Sequence, residues 1–170
     1  MKIDNKRTFI IAEAGVNHNG SIKKALKLID VAKRSGADAI KFQTFKAENL
    51  ATDYAPKAEY QKYKSVKKET QFQMLKKLEL TDEMHKVCFK ECKKKKIIFI
   101  SSAFDLESLE YLKKFNLNYF KVPSGEITNL PYLEALGKFG RKIILSPKVF
   151  STILILSTIS LNSLGFRLAL

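Results

Sequence analysis

Apolar and polar positions follow two rhythms along this chain. Short apolar runs at Thr8–Ala12, Ala37–Thr44, Ile97–Ser101, Tyr119–Pro123 and Lys142–Ser146 read as strands. The run from Phe9 to Ala12 reads as buried, ending at Glu13 and leading into an Asn/His/Gly turn. Between the runs, apolar residues recur at helical spacing. Ile22, Ala25, Leu26, Ile29 and Ala32 place a helix over Ser21–Ser35, with Gly36 as its stop. Thr70–Leu78 and Asp82–Lys95 are two more, the second opened by a Thr81 cap. Asp105 caps Leu106–Phe115, where Leu109 and Leu112 share a face. Asn129 caps a short helix with Pro131 near its first turn, ending before Gly140.

Strand–helix repeats of this kind predict a parallel sheet with right-handed crossovers. The stretch Phe45–Glu69 breaks the rhythm: it is polar, carries Tyr54, Pro56, Tyr60 and Tyr63, and reads as a long functional excursion. A full (β/α)8 barrel takes eight strands in about 250 residues, more than this chain provides. The strand count fits a five-stranded doubly wound sheet without help. The placement of polar residues favours barrel ancestry, so the fold expected is α/β, a partial TIM barrel of about five parallel strands.

Composition narrows the function classes. The chain has 170 residues, 45% of them hydrophobic, enough for a real core and against overall disorder. Lys and Arg number 31 against 17 Asp and Glu, a net charge of +14. Such a balance fits nucleic acid, acidic lipid, a small anionic substrate or a plain solvated surface. Lys93 to Lys96 close a helix, where cations meet the negative end of the dipole. There is no Arg-rich stripe with interleaved aromatics and no nucleic-acid motif, so a solvated basic surface is expected and nucleic acid is not a partner. Cys88 and Cys92 lie four apart with no second pair to complete a zinc site. They read as core thiols. No signal-peptide h-region opens the chain. The uncharged run from Lys148 to Arg167 is diluted by Ser, Thr and Asn, so a membrane span is not expected. The expectation is a cytoplasmic protein.

Chemistry gathers at the strand ends. Glu13 follows the first strand. Lys41 and Gln43 form an i, i+2 pair on one face of the second. The third ends in Ser101-Ser102, the fourth carries Lys121 and runs into Pro123-Ser124-Gly125-Glu126, and the fifth ends at Ser146. In barrels and open α/β sheets alike the active site lies at those carboxyl ends. Two cations and three hydroxyls suit a phosphate or carboxylate. Gly125 permits a backbone nest, and Glu13 and Glu126 supply carboxylates for proton handling or for gripping a polyol. Asn17 and His18 lie in the turn after Glu13. His18 reads as a turn-stabilising or substrate-contacting group, His85 as a half-exposed structural residue, and no metal constellation is complete.

The stretches Ile11–Gly20, Gly36–Thr44, Lys121–Asn129 and Ile143–Ser146 closely resemble the sialic acid synthase (N-acetylneuraminate synthase) family. The resemblance covers residues 8 to 146 and implies the first part of that family's TIM-barrel domain. It implies condensation of phosphoenolpyruvate with an N-acetylmannosamine-like amino sugar to give a nine-carbon 2-keto acid; legionaminate and pseudaminate synthases, or an inactive anion-binding remnant, are the alternatives. Lys41, Ser102, Lys121, Ser124 and Ser146 match its phosphoenolpyruvate positions. Glu13, Gln43 and Glu126 match positions near the sugar and the reacting centre. The resemblance also implies a divalent metal, Mn2+ or Mg2+, and a homodimer for the full-length family.

Past Ser146 the pattern departs from the family, which continues with a Thr-Gly-Met turn where this chain has Pro147-Lys148-Val149. The family's two metal-binding histidines fall in the part not matched, so the metal's ligands are expected to be missing from this chain. The expectation is therefore residues 1–146 as the N-terminal part of the barrel and 147–170 as an aberrant apolar tail arising from a shifted reading frame or another truncation.

Overall fold

The computed structural model describes residues 7–57 and 69–146. The expected tail over 147–170, and Tyr60 and Tyr63 of the excursion, lie outside the described residues. The order is β1 (Ile11–Gly15), α1 (Ile22–Arg34), β2 (Ala39–Thr44), α2 (Ala47–Leu50), α3 (Gln71–Leu78), α4 (Asp82–Lys95), β3 (Ile98–Ala103), α5 (Leu106–Lys113), β4 (Tyr119–Val122), α6 (Leu130–Gly137) and β5 (Lys142–Leu145). The chain divides into two compact units, one running to Phe99 and one starting at Ile100, so the division falls inside β3.

In the first unit β1 and β2 pair in parallel, with Ile11 opposite Ala39 and Glu13 opposite Lys41. The register then slips between Glu13 and Gly15. β2 is the middle strand in the order β1-β2-β3, and the Ile98 N–H donates to the Asp38 carbonyl at 3.0 Å. The amphipathic α1 buries Ala25, Ile29 and Ala32, and α4 buries Met84, His85, Cys88 and Cys92. Phe42 of β2 stacks on Phe99 at 5.6 Å between ring centres, and Phe89 meets Phe99 edge-on at 5.8 Å. Burial pushes both thiols up to about 12, so neither is a thiolate at neutral pH. The expected Thr81 cap forms, accepting from the Met84 N–H, and Thr70, read as the helix's first residue, instead caps it in a reciprocal capping box with Gln73.

The second unit repeats strand and helix. β4 and β5 pair in parallel from Tyr119 opposite Lys142 to Val122 opposite Leu145. Asp105 caps α5 through the Ser108 N–H at 2.8 Å, and Asn129 caps α6 through the Tyr132 N–H at 3.2 Å. Leu109, Leu112, Phe120, Val122, Tyr132, Leu133 and Leu136 form the core. The buried Tyr132 hydroxyl donates to the Ala103 carbonyl at 3.2 Å, satisfying the group that burial would otherwise penalise.

Four local readings need correcting. The first strand starts and ends later than its apolar run, so Glu13 stands inside β1 rather than after it. Its opening residues are not buried: Ile10 is 52% exposed and full burial begins at Ala14. The reason is position, because β1 is an edge of its sheet among the described residues. The excursion contains a short helix, α2, whose Ala47 N–H is held by the Glu79 carboxylate at 2.8 Å, a partner 32 residues away. His85 is fully buried, not half-exposed.

Candidate functional site

Strand periodicity builds the cluster of the first unit. Successive side chains of β2 point to opposite faces, so Lys41 and Gln43 share one face and the buried Phe42 and Thr44 the other. Parallel pairing puts Glu13 beside Lys41. Their Nζ and Oε2 atoms meet at 2.6 Å, the lysine 13% exposed and the glutamate 54%. Gly15 has φ of +51°, and a Cβ there would lie 3.2 Å from Glu13 Oε1 and 3.8 Å from Gln43 Nε2. The carboxylate therefore lies over bare glycine backbone, bonded to Lys41 through Oε2, with its Oε1 and the Gln43 amide both flanking that glycine. A Cβ at position 15 would make the carboxylate shift by a few tenths of an ångström. An ammonium paired with a carboxylate, with an amide on the same strand face as the ammonium, can hold an anion and handle a proton or a hydroxyl.

The turn after β1 divides its two expected contacts. Asn17 is exposed, and its backbone N–H donates to the Ala14 carbonyl at 2.9 Å. His18 is fully buried, with its ring 6.3 Å from that of Phe42, so it packs on the side of β2 away from Lys41 and Gln43. Its Nδ1 accepts from the Gly20 N–H at 3.1 Å, which fixes the proton on Nε2, and burial lowers its pKa. His18 thus holds the turn through Nδ1, while its buried Nε2 has no hydrogen-bond partner among the described residues.

His85 does more than the half-exposed structural residue read from the sequence. A carbonyl only accepts, so His85 Nδ1 donates to Thr81 O at 3.0 Å and Nε2 accepts the Thr44 hydroxyl at 2.8 Å. Burial pushes its pKa down to about 4, which keeps it neutral behind the strand that carries Lys41 and Gln43. A signal was present: His85, Cys88 and Cys92 stand at i, i+3 and i+7, the spacing of a buried helix stripe. Asp38 was missed too. It pairs with Arg7 and accepts the Ile10 N–H at 2.9 Å, pinning the start of β1 to that of β2.

The second unit places its expected residues at the carboxyl ends of its own strands. Ser102 is buried near the end of β3, and its Oγ has no hydrogen-bond partner among the described residues. Lys121 is buried on β4 and its ammonium donates to the Val122 carbonyl at 2.8 Å. Ser124 and Glu126 are half-buried just past β4, and Glu126 Oε2 accepts from Asn129 Nδ2 at 2.7 Å. Ser146 is exposed immediately after β5. Among the described residues no three His, Cys, Asp or Glu side chains are grouped to hold a metal ion. His85 is committed through both ring nitrogens, His18 is buried and bonded through Nδ1 alone, and both thiols are buried. Among the described residues these side chains do not make up a metal's ligand set.

A profile of the NeuB family matches residues 28–151. The chain belongs to the NeuB family. It is 53% identical over 141 residues to the N,N'-diacetyllegionaminic acid synthase of Campylobacter jejuni, covering 83% of this chain and 42% of that protein. With the N-acetylneuraminate-9-phosphate synthase of Homo sapiens it shares 35% over 138 residues, covering 81% and 38%. The NeuB-family chain thus spans about two fifths of the length of these curated relatives. Among solved structures, the N-acetylneuraminic acid synthetase of Leptospira borgpetersenii superposes with a TM-score of 0.73 at 27% identity, covering 98% of this chain and 56% of that one. Spore coat protein SpsE of Bacillus subtilis gives 0.70 at 29%, covering 96% and 42%. The fold is a partial barrel of the kind these structures contain, parallel strands and helices that do not close among the described residues.

Proposed function

We propose that this chain carries the phosphoenolpyruvate-binding part of a synthase that joins phosphoenolpyruvate to the aldehyde of an N-acetylated amino sugar. The observation that carries this reading is the Glu13–Lys41–Gln43 cluster on adjacent parallel strands of a NeuB-family chain. In this reading Lys41, Ser102, Lys121, Ser124 and Ser146 grip the phosphate and carboxylate of the enol phosphate. Glu13, Gln43 and Glu126 serve the sugar and the reacting centre, Asn17 lies at the sugar side, and His18 supports the turn behind them. The methylene carbon of phosphoenolpyruvate bonds to the aldehyde carbon, water adds to the resulting cationic carbon, and phosphate leaves.

The sugar proposed is a diacetamido hexose. Identity is 53% and 50% to two N,N'-diacetyllegionaminic acid synthases, against 35% to the human N-acetylneuraminate-9-phosphate synthase and 32% to a pseudaminic acid synthase. A nine-carbon product less the three carbons of phosphoenolpyruvate leaves a hexose, which must already carry both acetamido groups. N-acetylmannosamine is the second reading, from the motifs shared with the sialic acid branch. The test is phosphate release from phosphoenolpyruvate with Mn2+ and either sugar. Release is expected with the diacetamido hexose ahead of N-acetylmannosamine. The reverse order contradicts the sugar assignment, and phosphoenolpyruvate binding without release from either sugar leaves an anion-binding module. No helix among the described residues is long and apolar enough to cross a membrane.

A further inference from the structure

The Glu13–Lys41 pair poses a problem for an anion site, because the cation that should receive the ligand already has a negative partner. The geometry points to its resolution. We propose that the pair is an exchangeable latch: a dianionic enol phosphate takes Lys41 away from Glu13, and the carboxylate released is thereby free for the sugar or the attacking water. This inference rests on the proposed function and adds how the site is held before the ligand arrives.

Three observations support the exchange. The two partners are unequally held: the Lys41 side chain is 13% exposed and recessed on the middle strand, while Glu13 is 54% exposed on an edge strand. The cation is fixed and the carboxylate can swing into water. The carboxylate also rests over a glycine, at a point where any Cβ would come within 3.2 Å of Oε1. A side chain at position 15 would push the carboxylate aside by a few tenths of an ångström, so the bare glycine lets Glu13 settle against Lys41. Finally, the exchange costs little, since a partly exposed ion pair contributes at most about 1 kcal/mol, a factor of roughly five in affinity. A dianion with a carboxylate and a phosphate outbids a single carboxylate for one ammonium, and charge-assisted bonds to phosphate are among the stronger ones. No covalent bond changes in the step. Lys41 keeps its proton and only its partner differs.

The test is calorimetric titration of phosphoenolpyruvate into the 170-residue chain and two variants. Glu13→Gln removes the charge, whereas Glu13→Asp keeps it but shortens the side chain by one methylene and withdraws it from Lys41. The latch predicts that both variants bind phosphoenolpyruvate about two- to five-fold more tightly than the parent. Tightening by Glu13→Gln alone would mean simple charge repulsion and overturns the latch. Unchanged or weaker binding by both overturns it as well, while leaving the anion site standing. Absence of phosphoenolpyruvate binding in all three proteins would instead overturn the proposed function, and the latch with it. Glu13 is more than half exposed, so neither variant removes core packing, and matched thermal melts verify the fold.

Discussion

In the unit that ends at Phe99, the cation at the strand end is bonded to a carboxylate on the neighbouring strand, more than half exposed. In the unit that begins at Ile100, the corresponding cation, Lys121, is buried and bonded to the main-chain carbonyl one residue further on. A half-exposed carboxylate on a strand that is an edge among the described residues can leave; a carbonyl fixed in a strand cannot. The same contrast extends to the groups around them. The first unit sets a carboxylate and an amide around its cation, and the second adds hydroxyls to its carboxylate Glu126, among them a buried Ser102 Oγ with no partner among the described residues. On the proposed function, the first region would exchange partners and the second would receive a ligand, and both arrangements arise on parallel strands.

The largest expected effect separates the units by acid. Both histidines of the chain, His18 and His85, stand before Phe99. The pKa of His85 falls from its ordinary 6.5 to about 4 on burial, so the unfolded chain binds more protons between those values. Stability is complete above pH 6.5 and is lost as pH falls toward 4, by about 3 kcal/mol for this residue. Hydrogen exchange should show the first unit loosening between pH 7 and 5 ahead of the second. His85→Gln should flatten that slope, and equal loss in both units would break the contrast.

Gly15→Ala comes next. An Ala at φ of +51° costs about 1–2 kcal/mol, read as a lower urea midpoint. Its Cβ would also press on Glu13 Oε1, so phosphoenolpyruvate binding should tighten although the protein is less stable. Tyr132→Phe tests the second unit by itself: the Ala103 carbonyl loses its donor, and stability should drop by about 1 kcal/mol with the first unit's exchange rates unchanged. The smallest stability effect is that of Ser102→Ala. Removing a buried hydroxyl that has no partner among the described residues should leave the melting temperature unchanged or slightly higher, while phosphoenolpyruvate affinity falls several-fold. Lost stability with intact affinity would make Ser102 a structural residue.

Much of this was legible in the sequence because it depends on local periodicity. The i, i+2 spacing of Lys41 and Gln43 put them on one strand face, and the structure keeps them there. Thr81, Asp105 and Asn129 stand where caps belong and act as caps. The rest depends on partners far along the chain. Whether Phe9 to Ala12 is buried depends on what lies beside β1, and an apolar run alone does not say that it is an edge. The short helix α2 was not legible because Glu79, which holds its first N–H, comes 32 residues later. His18 reads as polar chemistry in a polar turn, and its turn toward Phe42 follows from packing behind β2. The Glu13–Lys41 contact needed the strand register, which no pattern in either strand encodes by itself.

The most direct measurement is calorimetric titration of phosphoenolpyruvate into the chain and into Lys41→Met, with inorganic phosphate as competitor. Saturable one-site binding that phosphate displaces, weakened at least tenfold by Lys41→Met, is the predicted result. Binding that is absent, or that is indifferent to the loss of Lys41, would contradict the assignment of these strand ends to an enol phosphate.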